Sequence, residues 1–167
     1  MIRGVGMVLI LSGCFWMGNR RAADLERRAA ALEGLAAGLE QLRCELLLAA
    51  EPLPRLFGRL SRSAPRPCGA LFENCGAALG GEEPFHRIWA EEVAGIPYLN
   101  PEDARLLVPL GTLLGRYPGV EQAKGLEQVC RALERQGELA REESRRLGRV
   151  YRAVGAAAGG FLLILLL

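Results

Sequence analysis

Chemistry at neutral pH needs nucleophiles, acid–base groups or metal ligands at workable spacing, and this chain of 167 residues is poor in all three. It has one histidine, His86, and five cysteines, at positions 14, 44, 68, 75 and 130. A cysteine nucleophile needs a neighbouring base, and a structural zinc site needs ligands in closely spaced pairs. No two of these cysteines form a C-x-x-C pair, and His86 has no Cys or His within helical reach. Neither arrangement is therefore offered, and the thiols read as reduced, structural groups of a cytoplasmic compartment. Adjacent glutamates at 82–83, 91–92 and 142–143 could serve acid–base catalysis, but on charged helices they are expected to be solvated surface. Ser144 lies on a charged helix with no His at motif distance, and neither common glycine-rich phosphate loop occurs. With 21 basic and 19 acidic residues the net charge is +2, too little to neutralise a nucleic-acid backbone. The expectation is a protein that is not an enzyme, with no cofactor, no metal, no small-molecule substrate and no nucleic acid. His86 is expected at the surface. Trp89 is expected in the core or as an anchor for a partner.

The elements that must carry these residues follow from composition and placement. Half the chain is apolar but only 6% is aromatic, the excess being Leu and Ala. Together with Glu and Arg these favour helix, and no stretch has the alternation of a strand, so the fold class is all-α. The apolar excess is gathered at the two ends. Residues 2–18 carry one charge, Arg3, and residues 154–167 carry none. A span needs about 20 apolar residues, with about 17 as the lower limit. Residues 1–19 are thus expected to form an N-terminal transmembrane helix and residues 150–167 a C-terminal one, with a domain at 20–149 between them. Arg20 and Arg21 follow the first run, and Arg145, Arg146, Arg149 and Arg152 precede the second. Positive flanks on the domain side place that domain in the cytoplasm. The alternative is an exported or lipidated protein. Leu11-Ser12-Gly13-Cys14 looks like the lipobox of bacterial lipoproteins, although the apolar run continues through Phe15, Trp16 and Met17 where a polar tether would begin.

Between the ends, leucines at 25, 32, 35, 39, 42 and 46 form a heptad stripe on a helix that runs to about Glu51, where Pro52 and Pro54 end it. Short helices are expected near 53–60, 69–79 and 83–94, with residues 61–67 a loop. A fifth begins at Pro101 with Asn100 as its cap and carries a kink or break at Pro109. A long last helix from about Val120 carries Leu126, Val129, Cys130, Leu133, Ala140, Leu147 and Val150 on one face. Glu127 and Arg131 are paired at i,i+4 on its outer side. The architecture expected is a bundle of about six helices whose long first and last members continue into the membrane. Gly155 and Gly159 form a G-x-x-x-G pair, a helix-packing face within the second span.

The order of these features resembles the stage III sporulation protein AB family over nearly the whole length. The resemblance is carried by the leucine stripe ending Leu42-Arg43-Cys44-Glu45-Leu46, by Pro52-Leu53, Leu71-Phe72 and the lone Trp89. It is also carried by Leu110-Gly111-Thr112-Leu113-Leu114-Gly115 with Gln122, Leu133 and Ala140, and by Tyr151, Gly155 and the apolar tail. After the Leu-Gly motif only Glu121-Gln122 match the family's acidic residue and Gln, since Tyr117-Pro118-Gly119-Val120 intervene. Cys14 is not a family feature. The resemblance implies a membrane component of the channel machinery between mother cell and forespore. It also implies similarity to the inner-membrane platform protein of type II secretion and type IV pilus systems, whose domain is a helical bundle. On that reading the partners are the cytoplasmic ATPase-like stage III sporulation protein AA, other members of the same complex, the membrane and further copies of the chain. The contact residues named for the partner are Glu45, Trp89, Gln122 and Arg131.

Overall fold

A computed structural model describes the backbone of residues 2–48, 51–79, 81–114 and 119–166. Side chains are described within these from Asn19 to Tyr151 and at a few positions further out, including Trp16, Met17 and Val154. Every regular element among the described residues is helical, as expected. In order they are α1 (Ile2–Leu48), α2 (Leu53–Ser63), α3 (Cys68–Ala78), α4 (Phe85–Ala94), α5 (Pro101–Leu107), α6 (Leu110–Leu113) and α7 (Gly119–Leu166).

Among the described residues there are seven helices, the fifth of the about six expected being divided at Pro109, where a kink or break was expected. Proline has no N–H to give the preceding turn and its ring crowds the carbonyl four residues back, so α5 stops and a single turn, α6, restarts after it. Proline also sets the other differences. α2 runs three residues past the expected Leu60, to Ser63, and is capped by Ala64, whose extended backbone (φ −72°, ψ 145°) is the conformation that Pro65 imposes on its predecessor. α4 starts at Phe85 because Pro84 is extended at its N-cap. The start of α5 is as expected: Asn100 and Asp103 form a capping box, with the Asn100 N–H donating to Asp103 Oδ2 at 3.0 Å, and Pro101 occupies the first turn.

The chain divides into two compact units. Unit two, residues 30–137, is contiguous and holds the main core. Leu32, Leu35, Leu39 and Leu42 of the α1 stripe are fully buried, each contributing about 1.5–3 kcal/mol by leaving water. Leu56, Phe57 and Leu60 of α2, Phe72 of α3, and Leu126 and Leu133 of α7 are fully buried as well. Phe57 stacks on Phe72 with ring centroids 5.0 Å apart. Two glycines one turn apart let the α2–α3 connection lie against α1. A Cβ on Gly34 would stand 2.5 Å from the Arg66 carbonyl oxygen, and one on Gly38 would stand 2.5 Å from Cys68. Facing pairs within this unit (Glu33 with Gly137, Ala36 with Cys130, Leu46 with Gly119) show α1 and α7 antiparallel.

Unit one joins residues 1–29 to 138–167. Here too α1 and α7 are antiparallel: Ala22 faces Gly148, and Arg28 Nη1 lies 3.4 Å from Glu143 Oε2. Among the described residues of this unit the buried positions are Ala22, Ala29, Ala140, Ser144 and Gly148, all small, so the two helices meet there along a seam of short side chains. That seam explains a departure from the expected stripe of the last helix: Val150 is half exposed while Ser144 is buried. The unit boundaries fall in charged sequence, 11 residues after the first apolar run ends and 16 before the second begins. Among the described residues no helix is long and apolar enough to cross a membrane. Most side chains of 1–18 and 155–167, on which the two expected spans rest, lie outside the described residues.

Candidate partner-binding surface

The residues with chemical potential are dispersed. Among the described residues no three His, Cys, Asp or Glu side chains are grouped so as to hold a metal. The glutamate pairs are split among separate contacts. Glu83 lies 3.7 Å from Arg87, Glu92 accepts a hydrogen bond from Asn74 Nδ2 at 2.6 Å, and Glu143 meets Arg28. His86 is exposed. Cys68, Cys75 and Cys130 are buried and free, and burial pushes the thiols of Cys75 and Cys130 up to about 12 and that of Cys68 higher still. Such thiols stay protonated and pack as small apolar groups. Cys44 is exposed one turn after Glu40, and the Arg43 guanidinium holds the Glu40 carboxyl below its usual range through hydrogen bonds of 2.6 and 2.7 Å.

A contact surface stands out at one end of unit two. The last turn of α1, the start of α2 and the first turn of α7 meet around a cleft of about 480 Å³, lined by Leu46, Leu47, Leu48, Glu51, Leu53, Gly119, Val120 and Gln122. Gly119 makes the meeting close, since a Cβ there would lie 3.2 Å from the Leu46 carbonyl oxygen. Leu48 is 85% exposed, Val120 61% and Leu47 51%, so the rim is apolar and open to water. Arg59 of α2 braces this end, reaching Glu45 at 2.5 Å and Glu51 at 3.4 Å.

The four contact residues named from the sequence fare differently. Gln122 lines the cleft, although it is largely buried. Glu45 stands half-buried beside the cleft in the Arg59 brace. Arg131 is exposed and pairs with Glu127 one turn away, as the sequence indicated. Trp89 is fully buried, the core position that its sequence setting also allowed. Its ring lies against Gly111, where a Cβ would come within 2.9–3.0 Å, and its Nε1–H donates to the Leu107 carbonyl at 2.8 Å, filling an open acceptor at the end of α5. The surroundings of Gly155 and Gly159 lie outside the described residues. Leu47, Leu48 and Val120 were not singled out from the sequence. The signal available was the run Leu46-Leu47-Leu48, because three successive leucines exceed what one helix face can bury.

The profile of the family described as stage III sporulation protein AB matches residues 3–167. No curated protein and no solved structure matches the chain. The chain belongs to the stage III sporulation protein AB family, and membership implies a role in stage III of sporulation. It is a structural family and not a known enzyme family, and it suggests association with a membrane.

Proposed function

We propose that this member of the stage III sporulation protein AB family is a non-enzymatic platform of the channel complex between mother cell and forespore. The apolar ends of α1 and α7 anchor it in the mother-cell membrane, each as a span, and the region between lies in the cytoplasm. There the cleft at the end of unit two docks the ATPase-like stage III sporulation protein AA. The observation that carries the reading is the clustering of three exposed apolar side chains, Leu47, Leu48 and Val120, around one cleft. Clustered apolar surface of this kind marks a contact for another protein. The Arg59 brace across Glu45 and Glu51 supports it by fixing the rim before a partner arrives, which lowers the entropy cost of binding.

The test is recovery of protein AA with the tagged full chain from sporulating cells after crosslinking. Native chain should recover it. Leu48→Asp with Val120→Asp should not, while the variant keeps its helicity and unfolding midpoint. Equal recovery by both would remove the cleft as the docking surface. Failure of the native chain to recover protein AA, where other components of the complex are recovered, would remove the docking role. Protease added to intact protoplasts should spare residues 20–149, and their digestion would overturn the cytoplasmic placement.

A further inference from the structure

Carboxylates are missing from residues 1–23 and from 144–167, so the part of unit one built from residues 16–21 and 145–154 is charged by arginine alone. The pairs Ala22–Gly148 and Arg28–Glu143 set the register there, bringing position 21 level with 149 and position 16 level with 154. Arg20, Arg21, Arg145, Arg146 and Arg149 are all exposed. Among the described residues none of the five is held in an ion pair. The Arg20 guanidinium lies over the Trp16 ring, 5.4 Å from its centroid. Arg149 spends one donor, Nε, on the Arg145 carbonyl at 3.1 Å. At the same level Trp16, Met17, Val150, Tyr151 and Val154 are exposed, Trp16 and Met17 by about two thirds.

Five arginines that no ion pair engages thus stand beside exposed aliphatic and aromatic side chains, with Asp24, Glu142 and Glu143 one turn further into the unit. The occupant that fits must bring negative charge and apolar contact together. From position 16 to position 21 a helix rises about 7.5 Å, close to the depth of one headgroup layer of a bilayer. Trp and Tyr favour that layer, and guanidinium matches phosphate with paired hydrogen bonds. We propose that this collar is a binding surface for anionic phospholipid headgroups and selects them over zwitterionic ones. The proposal rests on the membrane attachment put forward above and adds to it the class of lipid that is held.

The full chain reconstituted into phosphatidylcholine vesicles containing a minority of phosphatidylglycerol provides the test. Trp16 is the reporter, Trp89 being buried in unit two, and Trp16→Phe gives the background. Bromination of one lipid or the other compares the two as neighbours of Trp16 by quenching. Per mole of lipid, brominated phosphatidylglycerol should quench about threefold more than brominated phosphatidylcholine, a modest share of what several near-surface arginines can supply. High salt, or replacement of the five exposed arginines by Gln, should bring the ratio to about one. Equal quenching by the two lipids with native chain would overturn the selectivity and leave the attachment standing. Enrichment that survives the five replacements would overturn the collar as its cause. No quenching by either lipid, in a chain that also fails to float with the vesicles, would overturn the attachment itself.

Discussion

Replacing glycine by alanine at two helical positions of unit two should shift stability in opposite directions. In an exposed helix interior the change gains about 1 kcal/mol, because glycine has more backbone freedom to lose. Gly58, in the middle of α2 with nothing within 4 Å of an added Cβ, is such a place. At Gly38 the same methyl would stand 2.5 Å from both Cβ and Sγ of Cys68. Carbon atoms rest about 3.5–4.0 Å apart, so about 1 Å of retreat is required. Cys68 is the first residue of α3 and fully buried, and its Cβ moves only with the backbone. Overpacking costs about 1–3 kcal/mol, and about 1 Å of retreat belongs in the upper part of that range, about 2–3 kcal/mol, so that after the propensity gain of about 1 kcal/mol a net loss of about 1–2 kcal/mol remains. For a unit of this size, about 4 °C of midpoint accompanies each kcal/mol. Thermal unfolding of the full chain in mild detergent, followed by Trp89 fluorescence in a Trp16→Phe background, should therefore rise by about 4 °C for Gly58→Ala. It should fall by about 4–8 °C for Gly38→Ala. Adding Cys68→Gly to Gly38→Ala removes the obstructing carbon, so the double mutant should lose less than the two single changes sum to. A midpoint that rises at both glycines, or no coupling to Cys68, would refute the close approach of α3 to α1.

Other expectations concern the buried polar and thiol groups. Trp89→Phe removes the donor to the Leu107 carbonyl and leaves a void that the smaller ring does not fill, so it should cost at least about 1–3 kcal/mol in chemical unfolding. In a Cys14→Ser background, Cys44 should be alkylated by a water-soluble reagent in the native state, and Cys68, Cys75 and Cys130 only after unfolding, as mass spectrometry of the modified chain would record. The thiols of Cys75 and Cys130 are raised in the folded state from about 9 to about 12, so the fold holds their protons more tightly than the open chain does. Their contribution is complete below about pH 9 and is lost as pH rises from there toward 12, so the denaturation midpoint should fall across that window. The fall should be smaller when both are replaced by Ala, in proportion to the thiols removed.

Much of the helical layout was written in local pattern. The stripe Leu32, Leu35, Leu39 and Leu42 is legible because a heptad period can bury only one face, and that face is the core. Prolines at 52, 84, 101 and 109 mark helix limits because each removes a donor and fixes its neighbours. What escaped was whatever depends on contacts between distant residues. A single tryptophan at helical spacing fits a core or a surface equally well, and only the approach of Gly111 decides for Trp89. The cleft is assembled from Leu48 and Val120, 72 positions apart, so no window of sequence contains it. The seam of small residues in unit one was hidden for the same reason: Ala and Ser score as weakly amphipathic, and their value lies in the close spacing they permit to another helix.

The interleaving of the two units has a consequence for the order in which the molecule can be made. Unit one needs residues 1–29 and 138–167, which leave the ribosome separated by the 108 residues of unit two. At about 5–20 residues per second, the first half of unit one waits about 5–20 s for its partner. Unit two is contiguous and can close during that interval, drawing the ends of its own α1 and α7 segments together. The closure cost that the last segment would face across so long a loop is then largely met before it emerges. Synthesis imposes a sequence of assembly: the middle of the chain first, the two ends last and together.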